Sequence, residues 1–163
     1  LKSKNTERII AVDFDCRTIK DFGSAENVVK EFVAFRFQWF TKRYQKLFEI
    51  DSLELDYYQL WKKCFEKGIP QKIMKLQKRS EVIDLIKNLD PNHSMIDENS
   101  NRIANLATHR WTLDTFQEII DKILALEGQI KYYIEVLGDE TKRLGIYRSE
   151  VMALKKLKIV IDR

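Results

Sequence analysis

Glycine and proline are scarce in this chain, five and two among 163 residues, against average usage of ~7% and ~5%. So few breakers in a chain that is 33% charged predict long helices. Cysteine is scarcer still. Cys16 and Cys64 are the whole complement, which excludes a disulfide scaffold and suits a reducing, cytoplasmic compartment. No apolar run approaches the ~18 residues a membrane-spanning helix needs. Residues 1–5, Leu-Lys-Ser-Lys-Asn, are mostly polar and unlike a signal peptide. No membrane partner is expected.

Catalytic side chains are also few. His93 and His109 have no cysteine or carboxylate at ligand spacing. Metal, nucleophile-elbow and phosphate-loop motifs are absent, and the glycines stand too far apart to cradle a phosphate. Asp13 with Asp15, and Asp97 with Glu98, are the acidic pairs nearest to a cation site. Flanking a tight turn is the favoured role for the first pair. The expectation is a chain with no catalytic residue, no cofactor site and no metal site of its own.

What is present is helical pattern. Hydrophobic residues make up 44% of the chain and its formal charge is +4, enough apolar content for a sizeable core. The exception comes first. Residues 8–14 read as a strand, 15–17 as a turn and 18–22 as the return strand. Ser24 is a good N-cap, with Glu26 on the positive end of the dipole. A helix over about 25–48 should follow, carrying two apolar stripes: Val28, Phe32, Phe35, Trp39, and Val33, Phe37, Phe40, Tyr44, Leu47. Asp51 or Ser52 would cap a second helix over 53–67, ended by Gly68 and Pro70. Short helices are expected at about 80–89 and 98–108, separated by a break at Asp90-Pro91-Asn92.

Thr112 should cap a long helix reaching about residue 144. Leu113, Phe116, Ile120, Ile123, Ile130, Ile134 and Leu137, with Glu127 filling one slot, follow a heptad seam. That seam would run about 37 Å at ~1.5 Å per residue. Residues 30–80 carry twelve basic and six acidic side chains, and residues 112–145 four basic and seven acidic. Opposite charge suits neighbours in an antiparallel pair. The expected architecture is mainly α: an antiparallel two-helix coiled-coil stalk with a helical head at its tip and a short β-hairpin at its base. The divisions are 1–23 for the hairpin, 24–52 for the ascending helix, 53–111 for the head, 112–145 for the descending helix and 146–163 for the tail.

The residues in this order resemble a family. Phe14-Asp15, Ile19, Phe22, Ser24, Glu26, Val28-Val29, Glu31-Phe32, Arg36, Phe40 and Lys42-Arg43 are similar to the start of the coiled-coil arm of type II DNA topoisomerases. Lys78-Arg79-Ser80-Glu81-Val82-Ile83-Asp84-Leu85-Ile86 resembles the basic stretch and following helix of that family's head. Asn105-Leu106 through Trp111-Thr112-Leu113 resembles the entry to its descending helix. The likeness covers about residues 8–144, and the compact, lysine-rich design is most similar to the bacteriophage branch.

The resemblance implies a non-catalytic fragment: the arm and exit gate through which a transported duplex leaves. It implies a homodimer closed through the head, other topoisomerase subunits and transient double-stranded DNA as partners, and the bacterial host cytoplasm as location. Magnesium and ATP are implied only for the full enzyme. None of Tyr44, Tyr57, Tyr58, Tyr132, Tyr133 and Tyr147 matches the family's Arg-Tyr active-site context. Residues 62–79 carry seven basic side chains and one acidic. Of these, Lys72, Lys75, Lys78 and Arg79 are expected to lie near DNA, giving weak, salt-sensitive duplex binding. Ile83, Ile86, Leu89, Met95, Ile96 and Trp111, apolar beyond what a small head can bury, are the expected dimer contact. Two other readings compete: a cytosolic coiled-coil scaffold or adaptor, and a basic nucleic-acid-binding helical module.

Overall fold

The structure, a computed structural model, describes residues 8–76 and 78–154. It is mainly helical, 74% helix with a small two-stranded antiparallel sheet. The chain divides into two compact units, residues 1–45 with 139–163, and residues 46–138.

In the first unit, strands β1 (Ile10–Val12) and β2 (Ile19–Asp21) pair antiparallel, with Val12 opposite Ile19. The turn between them is built by Asp15. Its carboxylate accepts the amides of Arg17 at 2.8 Å and Thr18 at 3.2 Å, which holds the carboxyl below its ordinary range. Cys16 takes the left-handed conformation this turn requires, φ +60°. Helix α1 then starts where expected, with the Ser24 hydroxyl accepting the Asn27 amide at 3.3 Å. Phe14 packs on Phe22, Phe32 and Phe35, tying the turn to the first half of α1.

Helix α1 (Ala25–Glu66) is one continuous helix of 42 residues, where the sequence predicts two. Asp51 and Ser52 lie inside it and not at a cap. Their weak helix propensity costs about 0.5 kcal/mol each. That is less than the burial of Tyr57, Leu60, Trp61 and Cys64 just beyond them returns. No glycine or proline interrupts the span. The ion pairs Glu26–Lys30, Lys46–Glu49 and Lys62–Glu66 add small i,i+3 and i,i+4 support.

In the second unit, Gly68 at φ +63° turns the chain out of α1. Pro70 does more than stop that helix. It opens the short helix α2 (Ile69–Ile73), absent from the sequence-based expectation, because the first turn needs no proline amide. Helices α3 (Arg79–Lys87) and α4 (Ile96–Ala104) follow, and a 3-10 turn (Thr108–Arg110) leads to α5 (Leu113–Gly138). Thr112 caps α5, its hydroxyl accepting the Thr115 amide at 3.3 Å. One core joins all five helices: Tyr57, Leu60, Trp61, Cys64, Ile69, Val82, Ile86, Ile103, Ile119 and Ile123. Phe65 in the last turn of α1 packs on Phe116 in the first turns of α5, ring centroids 5.2 Å apart.

The α5 seam differs from the expected one. Leu113 is 83% and Ile134 57% exposed, while Ile119 is 1% and Leu126 2%. The inward stripe is Phe116, Ile119, Ile123, Leu126, Ile130, Tyr133 and Leu137, every one buried or half-buried. It keeps alternate steps of three and four without needing Glu127, which is exposed. The expected helix to residue 144 also breaks. Gly138 ends α5, and Asp139 caps α6 (Glu140–Leu154) through the Lys142 amide at 3.1 Å. The expected tail at 146–163 therefore begins inside a helix, and its residues beyond 154, including Leu157, lie outside the described ones. In the first unit Tyr147 of α6 packs on Phe37 and Phe40 of α1, and Arg43 pairs with Glu150 at 2.6 Å.

Candidate functional site

Lys72 lies in the last turn of α2, Lys75 lies in the turn after it, Lys78 takes the extended position before α3, and Arg79 opens that helix. All four are exposed. Arg79 donates to the Asn101 side-chain oxygen at 3.3 Å. Among the described residues, none of the four has a carboxylate in salt-bridge reach. Two other cations of the basic stretch are neutralised: Lys62 by Glu66 and Lys63 by Asp90. The bond from Lys63 holds the Asp90 carboxyl below its ordinary range. The functional charge of residues 62–79 is thus narrower than the sequence suggests.

Pro70, Gln71, Ile73, Met74 and Arg79 also line a largely apolar cleft of about 740 Å³. Val82, Ile103, Ala104, Leu106 and Trp111 complete its lining. A second, adjoining cleft shares Pro70, Gln71 and Trp111 and reaches Leu113 and Phe116. Met74 is 82% exposed. Sequence reasoning missed this feature. The available signal was Met74 and Leu113, two bulky apolar residues just outside or at the first position of a helix.

The expected dimer residues divide. Ile86 is fully buried in the unit's own core, so it is a core residue and not a contact residue. Ile86 is covered because α1 and α5 supply walls to the same core. Leu89, Ile96 and Trp111 are half-buried and pack against that core. Ile83 and Met95 are half-buried and lie outside it. The α3–α4 connection is tied back to α1. His93 contacts the Asp56 carbonyl through Nε2 at 3.0 Å and accepts the Met95 amide at Nδ1, so its ring carries Nε2–H. Ser94 donates to the Asp56 carboxylate at 2.7 Å. His93 is therefore a structural clasp.

Burial pushes the Tyr57 and Tyr58 hydroxyls up, and the Arg102 guanidinium lies over the Tyr57 ring at 3.8 Å. Neither is an activated nucleophile. Burial also pushes the Cys64 thiol up to about 12, while Cys16 is exposed. A thiol reagent at neutral pH should modify one cysteine in the native protein. Cys64 should react at least ~1,000-fold more slowly until denaturant is added, as its thiolate is scarce and shielded. Rapid native modification of two thiols would mean Cys64 is not in a closed core.

The Asp15 carboxylate is spent on backbone amides and Asp97 pairs with Lys87. Among the described residues, no three His, Cys, Asp or Glu side chains converge, and no helix is long and apolar enough to cross a membrane. No protein-family description, curated protein or solved structure matches this chain.

Proposed function

We propose that this chain is the coiled-coil arm and dimerising exit gate of a type II DNA topoisomerase subunit. The observation that carries the reading is α1. It is a single helix of 42 residues, ~63 Å at 1.5 Å per residue, whose first part packs with α6 and whose last part shares a core with α2–α5. Such an element supplies the reach and stiffness a gate arm needs, and its length exceeds the ~20 Å width of a duplex about threefold. On this reading the last part of α1 pairs with α5, and α2–α4 form the head beside them. The dimer contact draws on Ile83, Leu89, Met95 and Ile96 of the α3–α4 pair. A gate that must reopen favours a contact no larger than the standard ~1,200–2,000 Å². The partners would be a second copy, the other topoisomerase subunits and, in passing, double-stranded DNA within a bacterial cytoplasm. Cleavage, ATP hydrolysis and magnesium would belong to other domains of the full enzyme.

A scaffold or adaptor reading draws on one observation: Ile50 and Leu53 of α1 and Leu124 and Ile134 of α5 are 49–62% exposed, an apolar surface that could pair helices along the arm. Sedimentation equilibrium separates the two. The gate reading expects a reversible dimer weakened at least tenfold by the double substitution Ile83→Asp with Met95→Asp, and unchanged by Ile134→Asp. The reverse pattern selects the scaffold. Incubation with supercoiled plasmid, magnesium and ATP should leave the plasmid unchanged. A covalent adduct through a tyrosine of this chain would contradict the non-catalytic role.

A further inference from the structure

The cleft lined by Pro70, Ile73, Met74 and Arg79 combines two features that a DNA lining does not need together. Its floor is apolar, formed by Pro70, Ile73, Val82, Ile103, Leu106 and Trp111. Its volume, about 740 Å³, falls in the ~300–1,000 Å³ range of ligand-binding clefts. Arg79 lines it, and Lys72, Lys75 and Lys78 adjoin its lining residues in sequence; all four are exposed, with no carboxylate in salt-bridge reach among the described residues. The acidic residues nearest in sequence are Glu66, paired with Lys62, and Glu81 in the first turn of α3. Duplex DNA would use the cations and leave the floor wet. Base stacking would require an open aromatic face, yet Trp111 is already packed by Trp61 and Phe65, ring centroids 6.3 and 5.1 Å away. A free hydrophobic ligand would use the floor and leave the cations without purpose.

We propose that this cleft binds an acidic, amphipathic peptide segment of a partner protein, with bulky aliphatic side chains on the apolar floor and carboxylates toward Lys72, Lys75, Lys78 and Arg79. The chemistry is that of a helix laid in a groove, read through apolar anchors at i, i+3, i+4 and i+7. Cations beside the groove speed the encounter and reject basic segments. The proposal does not depend on the gate reading, whose contact lies on the α3–α4 residues Ile83 and Met95.

The test uses the full chain and a fluorescein-labelled 16-residue probe with leucine at the four anchor positions and glutamate at most others. Three comparison probes are a lysine version, a version with serine for leucine, and a 20-base-pair duplex. Fluorescence anisotropy at 0.15 M salt should show saturable binding of the glutamate–leucine probe. Binding of the lysine and serine versions should be at least tenfold weaker. Met74→Asp should weaken binding at least tenfold. Because Met74 is 82% exposed, this variant should keep the native circular dichroism spectrum. Lys75→Glu with Lys78→Glu should weaken it as much without touching the floor. Absence of binding to wild type overturns the proposal, as does equal binding of the lysine probe. Tighter binding of the duplex, with the peptide displaced by it, assigns the cations to nucleic acid and overturns it too.

Discussion

Replacing Ile123 by aspartate should destabilise the protein by about 4 kcal/mol, the cost of forcing an unpaired charge into a packed core. Ile123 belongs to the cluster that joins α1 and α5, and with Phe116, Ile130 and Leu137 it is common to the expected and the observed seam. For a chain of this size the loss corresponds to a fall of roughly 10 °C in the thermal midpoint. The informative control is Ile134→Asp. In the expected seam Ile134 points inward, whereas its 57% exposure predicts a change within about 0.5 kcal/mol, as for other surface substitutions. Leu126→Asp should behave like Ile123→Asp, since Leu126 is 2% exposed. Urea unfolding of the three variants therefore reads the register of α5 directly. Equal losses at Leu126 and Ile134 would contradict the observed stripe.

Ser52→Pro should cost ~3 kcal/mol or more. Inside a continuous helix proline removes a backbone hydrogen bond and clashes with the preceding turn. Had Asp51 been an N-cap, residue 52 would be the first helical position, where proline is favoured. The two descriptions of α1 thus predict opposite signs for one substitution. Circular dichroism and urea unfolding decide between them, and a Ser52→Pro protein as stable as wild type would mean the helix breaks there.

These two substitutions mark where the sequence misleads and why. Asp51-Ser52 has the chemistry of a cap, but a cap forms only if ending the helix leaves more apolar surface buried. Here Tyr57, Leu60, Trp61 and Cys64 hold the helix straight through. In α5 the doublets Ile119-Ile120, Ile123-Leu124 and Tyr133-Ile134 offer two apolar seams, and only the packing partner selects one. The α2 helix was hidden because Pro70 reads equally as a stop and as a start. Ile86 reads as a surface residue only for a head of short helices standing alone, without the walls supplied by α1 and α5. Local devices were legible: the Asp15 turn, the Ser24 and Thr112 caps and the Gly68 turn each depend on a few neighbouring residues. The basic residues were legible as charges. The cleft beside them was not, because it is assembled by residues from 70 to 111.

The central claim is a second copy held through the α3–α4 residues. Cysteine cross-linking tests it with little background, since Cys64 is buried with its thiol pushed up to about 12 and Cys16→Ser removes the exposed thiol. In that background Met95→Cys and Ile134→Cys are compared under mild oxidation. The gate account predicts a disulfide-linked dimer from Met95→Cys and monomer from Ile134→Cys. A dimer from Ile134→Cys with Met95→Cys remaining monomeric would place the partner along the arm and contradict the account.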